Sequence, residues 1–182
     1  DESEFATLAV ESTQLPTDEV AEHVAELAGV EPSGVFLPTY ATGSTVGSVP
    51  AAARAPELAG WRLLELGYEP TDVLTASGRA PVAPVTYDED EAMGRTNDAV
   101  AYGGEVYLQV ARDDDRFGEV VSTAGTEYGR PFAEIFADAD YDFHAIPETV
   151  FAPAQVTVDV VNGPTYVRGE TDEALLAESF GQ

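Results

Sequence analysis

Arg54 and Glu57 stand three positions apart in "ARAPELAG" (53–60), a stretch otherwise small and apolar, with Pro56 between them. On a helix, residues at this spacing share a face. Such a pair is either an exposed ion pair, worth about 0.2–0.5 kcal/mol, or a guanidinium and a carboxylate fixed together to act on a ligand. Two features favour the second reading. The neighbours Ala51, Ala52, Ala53, Ala55, Ala59 and Gly60 are small. The surface around the pair is therefore low and leaves room for a planar ligand, although close helix packing would use the same residues. The preceding loop, "TYATGSTVGS" (39–48), offers hydroxyls, Ser44 and Ser48 among them, and backbone N–H groups at a helix N-terminus. Polar and anionic ligand groups are held at such places. Pro56 removes a helix donor and leaves the carbonyl of Ala52 without its partner, so a kink is expected beside the pair.

Two further stretches carry candidate ligand contacts. In "RTNDAVAYGGEVYL" (95–108), Asn97 and Asp98 lie between apolar residues, and the glycine pair permits close approach of a backbone or ligand. The competing reading is a helix polar face and its cap. "GRAPVAPV" (78–85), with Gly78 and Pro81, is a rigid, donor-poor strip that is suited to lining a pocket. No metal site is expected. Cysteine is absent, and the two histidines, His23 and His144, are far apart in sequence.

The elements that position these residues follow from period and punctuation. "FATLAVES" (5–12) reads as a strand and 16–29 as a helix, with Thr17 as cap, Val20, Val24, Leu27 and Ala28 on one face, and Gly29 as stop. Residues 34–38 read as a buried strand. The helix of the charged pair is expected to begin at Ser48 as N-cap, with Pro50 in its first turn, and to run to Gly67. Residues 71–77 form the next strand, 78–85 are extended, 88–104 are helical and 105–111 alternate as a strand. Two acidic helices are expected near 113–122 and 129–138. Residues 154–169 form a β-hairpin turning at Asn162-Gly163, and 171–180 form a closing helix capped by Thr171. The class is α/β (mixed α+β): a mixed sheet with flanking helices and a C-terminal β-hairpin, in one lobe. Val20, Val24, Leu27, Phe36, Leu58, Trp61, Leu64, Val73, Val106, Leu108, Ile135, Val156 and Val158 are expected in the core.

Composition narrows the function classes. The chain has 182 residues, and 34 acids against 8 bases give a net charge of −26. All eight bases are arginine. Self-repulsion on this scale destabilises a compact state in dilute salt. At about 1 M salt the Debye length is roughly 3 Å and the repulsion is mostly screened. A lysine-free, acid-rich chain of otherwise ordinary composition points to a very salty cytoplasm. Nucleic-acid binding through a basic surface is excluded. No run of apolar residues is long enough for a membrane helix, and the first residues are acidic, unlike the basic start of a signal peptide. The runs "YDEDEA" (87–92) and "RDDDR" (112–116) are expected to be solvated surface.

"GSVPAAARAPE", "SGRAPVAPV", "AMGRTNDAVAYGGEVYL", "YGRPFAEIFADADYDFHAIPETVFAPAQVTV" and the closing "SF" occur in this order and at this spacing. In that they resemble the archaeal N5,N10-methenyltetrahydromethanopterin cyclohydrolases, over essentially the whole chain. The resemblance implies addition of water to the methenyl bridge of a reduced pterin, opening the five-membered ring to the 5-formyl derivative. It maps the family's catalytic arginine and glutamate onto Arg54 and Glu57. The chemistry suits them. The reacting carbon lies between two nitrogens of a cationic, amidinium-like unit and needs a water deprotonated as it attacks. A carboxylate can take that proton, an assistance worth about 10²–10⁴-fold, and a neighbouring guanidinium fixes its orientation.

Ser44, Ser48, Gly78, Pro81 and Asn97 are then the expected substrate contacts. No metal or redox cofactor is implied, since the C1 carrier is itself the substrate. The expected partners are the pterin and, in the complete protein, two further copies in a homotrimer, with no nucleic acid or membrane, in the cytoplasm. Residues 1–182 would be the C-terminal portion of a two-lobed protein, the N-terminal portion being absent. The family's catalytic lysine comes from that portion, and this chain has none. Pro50 and Pro56 also differ from the residues expected in methanogen members. A module that binds a pterin or a partner subunit without turning over alone is the alternative. An N-terminal coding region in frame before Asp1 would separate the two.

Overall fold

A computed structural model describes residues 3–182. The element that matters most to the site is the four-stranded sheet, in which β5 (Val73–Arg79), β6 (Glu105–Val110), β7 (Gln155–Val160) and β8 (Thr165–Gly169) lie side by side in that order. The pairings are antiparallel, parallel and antiparallel. Strict alternation in β6 and β7 sends Val106, Leu108, Val110, Val156, Val158 and Val160 to one face, all buried. Ala55, Ala59 and Leu63 of helix α3 (Ala55–Glu65) cover that face. The small residues at 55 and 59 let the helix sit close, so some of the alanines around the charged pair serve packing rather than a ligand. The hairpin joining β7 to β8 turns at Asn162, whose φ of 56° is one that asparagine tolerates.

Ahead of the sheet come short pieces. The expected strand over 5–12 is two separate two-residue bridges. β1 (Ala6–Thr7) pairs in parallel with β3 (Val35–Phe36), and β2 (Val10–Glu11) with β4 (Thr39–Tyr40). α1 (Asp18–Ala28) ends at Gly29 with φ 69°, as its sequence requires. Its apolar face is largely open, with Val20 and Leu27 exposed, as are Phe36 on β3 and Leu64 on α3. These four are corrections to the expected core. Phe36 meets the likewise exposed Phe5 ring, 6.0 Å away, whereas the inward residues of β6 and β7 are covered by α3.

The helix of the charged pair is two helices. α2 (Thr45–Ala53) begins earlier than expected. Ser44, not Ser48, is its cap, and the Ser44 hydroxyl oxygen accepts the Gly47 N–H at 3.1 Å. Pro50 therefore lies inside α2 rather than in its first turn. α3 follows at once, with Pro56 in its first turn, where no intrahelical donor is lost. Arg54 is the junction residue, with φ −75° and ψ −8°.

α4 (Glu89–Gly103), capped by Asp88, runs beneath α2, and α5 (Phe132–Asp138) packs on α4. The acidic stretch near 113–122 holds only a 3-10 turn, Asp115–Glu119, because Asp113, Asp114 and Asp115 favour turns over helix. The C-terminal helix α6 (Glu173–Ser179) is capped by Asp172, not Thr171. The Asp172 carboxylate accepts from both Ala174 and Leu175.

Candidate active site

Breaking the helix at Arg54 has a chemical result. Glu57 falls in the first turn of α3, a position that suits a carboxylate. Arg54 reaches it in a two-pronged contact, donating from Nε to Oε2 at 3.1 Å and from Nη2 to Oε1 at 3.2 Å. Parallel bonds of this kind fix the plane of the carboxylate as well as its place. The side chains remain 56% and 63% exposed, so the pair is open to a ligand.

The pair lies in a cleft of about 940 Å³. One side is built by Arg54, Glu57, Leu58 and Trp61, with Pro50 and Ala51 of α2 beside them. α4 supplies Met93, Thr96, Asn97 and Val100, and Phe143 and Phe151 add an aromatic wall. Residues 11–14, Tyr40 and Thr42 close another side, where the Thr42 hydroxyl donates to the Glu11 carboxylate across β2 and β4. Asn97 is partly committed to its own helix, since its amide donates to the Met93 carbonyl at 2.9 Å.

Of the residues singled out from sequence, Arg54, Glu57 and Asn97 come together here. The others stand elsewhere. Ser44 is engaged by its cap, accepting from Gly47 and donating to the Ala41 carbonyl at 2.7 Å. Ser48 is 1% exposed, and its hydroxyl has no hydrogen-bond partner among the described residues. Gly78 lies in β5, where a Cβ would come within 3.1 Å of Pro56. Its lack of a side chain lets the start of α3 approach the sheet. Pro81 lines a separate hollow of about 320 Å³ with Tyr102, Leu176 and Phe180.

Sequence reasoning missed Trp61, Phe143, Phe151 and the 11–14 segment as cleft residues. Trp61 follows Glu57 by four positions, one helical turn, and that spacing was signal enough. Phe143 and Phe151 reach the cleft only through the long connection between β6 and β7, for which no local pattern exists. Behind the cleft, Asp98 is buried, and burial pushes its carboxyl up to about 6 against the Ser179 and Phe132 bonds that pull it down.

A cleft with a carboxylate held by a guanidinium and with aromatic walls has the room and the mixed polarity to take a flat, polar small molecule. The family model described as "Cyclohydrolase (MCH)" matches residues 1–180, and the chain belongs to that family. It is 58% identical over 181 residues to the methenyltetrahydromethanopterin cyclohydrolase of Halobacterium salinarum, covering 100% of this chain and 58% of that relative. The proteins of that name from Methanocella arvoryzae and Methanocaldococcus jannaschii are each 39% identical, again over 100% of this chain and 58% of theirs. The chain thus spans a little under three-fifths of the length of the curated relatives it matches.

Proposed function

We propose that this chain carries the water-activating half of a methenyltetrahydromethanopterin cyclohydrolase site. The observation that carries the reading is the two-pronged Arg54–Glu57 pair at a helix junction, open to a large cleft. The cyclohydrolase part of the reading is supported by the names of the relatives, which are methenyltetrahydromethanopterin cyclohydrolases. Glu57 takes a proton from water as the oxygen bonds to the cationic methenyl carbon. One ring C–N bond then breaks, its nitrogen takes the hydroxyl proton of the adduct, and a formyl group remains on the other nitrogen. Arg54 keeps the carboxylate plane aimed at the water. Asn97 and the aromatic residues hold the flat pterin. This chemistry asks for no metal or redox group from the protein, because the substrate carbon is already electrophilic.

The family's lysine would come from outside these residues, and a homotrimer in a salty cytoplasm belongs to the same reading. One observation favours a second reading for the chain taken alone. Glu57 is more than half exposed, so these residues by themselves form an open half-site that binds a pterin without efficient turnover. In the longer protein, Glu57→Gln should lower kcat by at least about a hundredfold with little change in KM. A variant with near-normal kcat would return the pair to an ordinary surface contact.

A further inference from the structure

Asp98 is a buried acid that the chemistry above does not use. It follows Asn97 on α4 but points away from the cleft, and it is 2% exposed. Both of its oxygens are engaged. Oδ1 accepts the backbone N–H of Phe132 at 2.9 Å, and Oδ2 accepts the Ser179 hydroxyl at 2.6 Å. Phe132 opens α5, and its ring lies at the centre of an aromatic group. It is 5.6 Å from Phe136, 5.8 Å from Phe151 and 6.4 Å from Phe143. Phe143 and Phe136 are closer still, at 4.5 Å. Phe143 and Phe151 are the aromatic wall of the cleft. The connection therefore runs from the helix that supplies Asn97, through one buried carboxylate, to the wall that faces it.

A buried acid is a costly way to hold two helices together, and apolar residues of similar volume often do so with more stability. Two convergent donors on a carboxylate offer direction instead. We infer that Asp98 is a positioning residue for the cleft. Through Phe132 it sets the distance between the Phe143–Phe151 wall and α4, and through Ser179 it ties that distance to α6. The inference rests on the cleft being the cyclohydrolase site proposed above.

The test is steady-state kinetics of Asp98→Ala, Asp98→Asn, Ser179→Ala and Phe151→Ala in the longer protein, at a temperature where circular dichroism shows each variant folded. Asp98→Ala should raise KM about tenfold, the value of a lost charged hydrogen bond, with kcat falling far less. Asp98→Asn keeps an acceptor for the Phe132 N–H and should restore most of the affinity. Phe151→Ala should raise KM as Asp98→Ala does, and Ser179→Ala should raise it less, about threefold. A purely structural role predicts a lower melting temperature for Asp98→Ala with unchanged KM, and that result would overturn the inference. So would an unchanged KM in Phe151→Ala. If Asp98→Ala does not fold, Ser179→Ala decides, and an unchanged KM there also overturns it. Failure of the site reading looks different: Glu57→Gln would keep its kcat whatever Asp98 does.

Discussion

The Arg54–Glu57 contact depends on the shape of the guanidinium as much as on its charge. Arg54→Lys keeps the charge but offers a point donor in place of a fork. In the longer protein its kcat should fall about tenfold or more, measured at saturating substrate, and Arg54→Ala should fall further. Asp98 makes a prediction about pH. Its carboxyl sits at about 6 in the folded chain, against about 3.9 in an unfolded one. Below about pH 4 it is protonated in both states, and its contribution to stability is complete. That contribution is lost as pH rises through about 6, after which the folded chain carries an ionised buried group, at a cost of roughly 3 kcal/mol. Asp98→Asn does not titrate, so it should gain stability relative to the parent between about pH 4 and 7. Urea midpoints at fixed high salt measure that gap, and a constant gap would refute it. The charged pair was legible from spacing alone. Asp98 was picked out beside Asn97 as a candidate ligand contact, but its burial away from the cleft was not legible, because that is set by α5 and α6, which arrive much later in the chain.

At the scale of elements, the two serines of α2 give opposite expectations. Ser44→Ala removes a cap bond and should cost about 1 kcal/mol. Ser48→Ala replaces a buried hydroxyl that has no partner among the described residues, so it should be neutral or stabilising. Thermal melts of the two variants decide between this start of α2 and the later start suggested by sequence. That misreading has a physical cause. A proline is so often found in a first turn that Pro50 drew the expected cap towards Ser48, whereas the real cap is set by the Ser44 side chain. β6, β7 and the Asn162 turn were legible because period and turn chemistry are local. β1 to β4 were not, since two-residue bridges have no period to detect. Pro56 announced a kink, but whether a kink becomes a full break depends on how α3 seats on the sheet.

At the scale of the whole molecule, charge dominates. Seven of the eight arginines make ion pairs, among them Arg62 with Glu148, Arg95 with Glu91 and Arg130 with Glu127 and Asp138. The eighth, Arg168, stands over the Tyr166 ring at 4.7 Å. With 34 acids, most of the negative charge has no basic partner, so the melting temperature should rise steeply from dilute buffer to molar potassium chloride. A flat dependence would sink the halophilic reading. Sequence predicted this balance fully, because it needs no fold. It predicted less well which apolar residues are covered: Leu27 is 75% exposed, and Val20, Phe36 and Leu64 are exposed with it. No helix among the described residues is long and apolar enough to cross a membrane. Trp61 is the sole tryptophan of the chain and stands in the cleft. Light absorbed selectively by indole is therefore re-emitted from the site alone, and a conjugated ring arriving beside it should quench that emission. The molecule carries its own fluorescent gauge of occupancy, readable without any label and whether or not catalysis occurs.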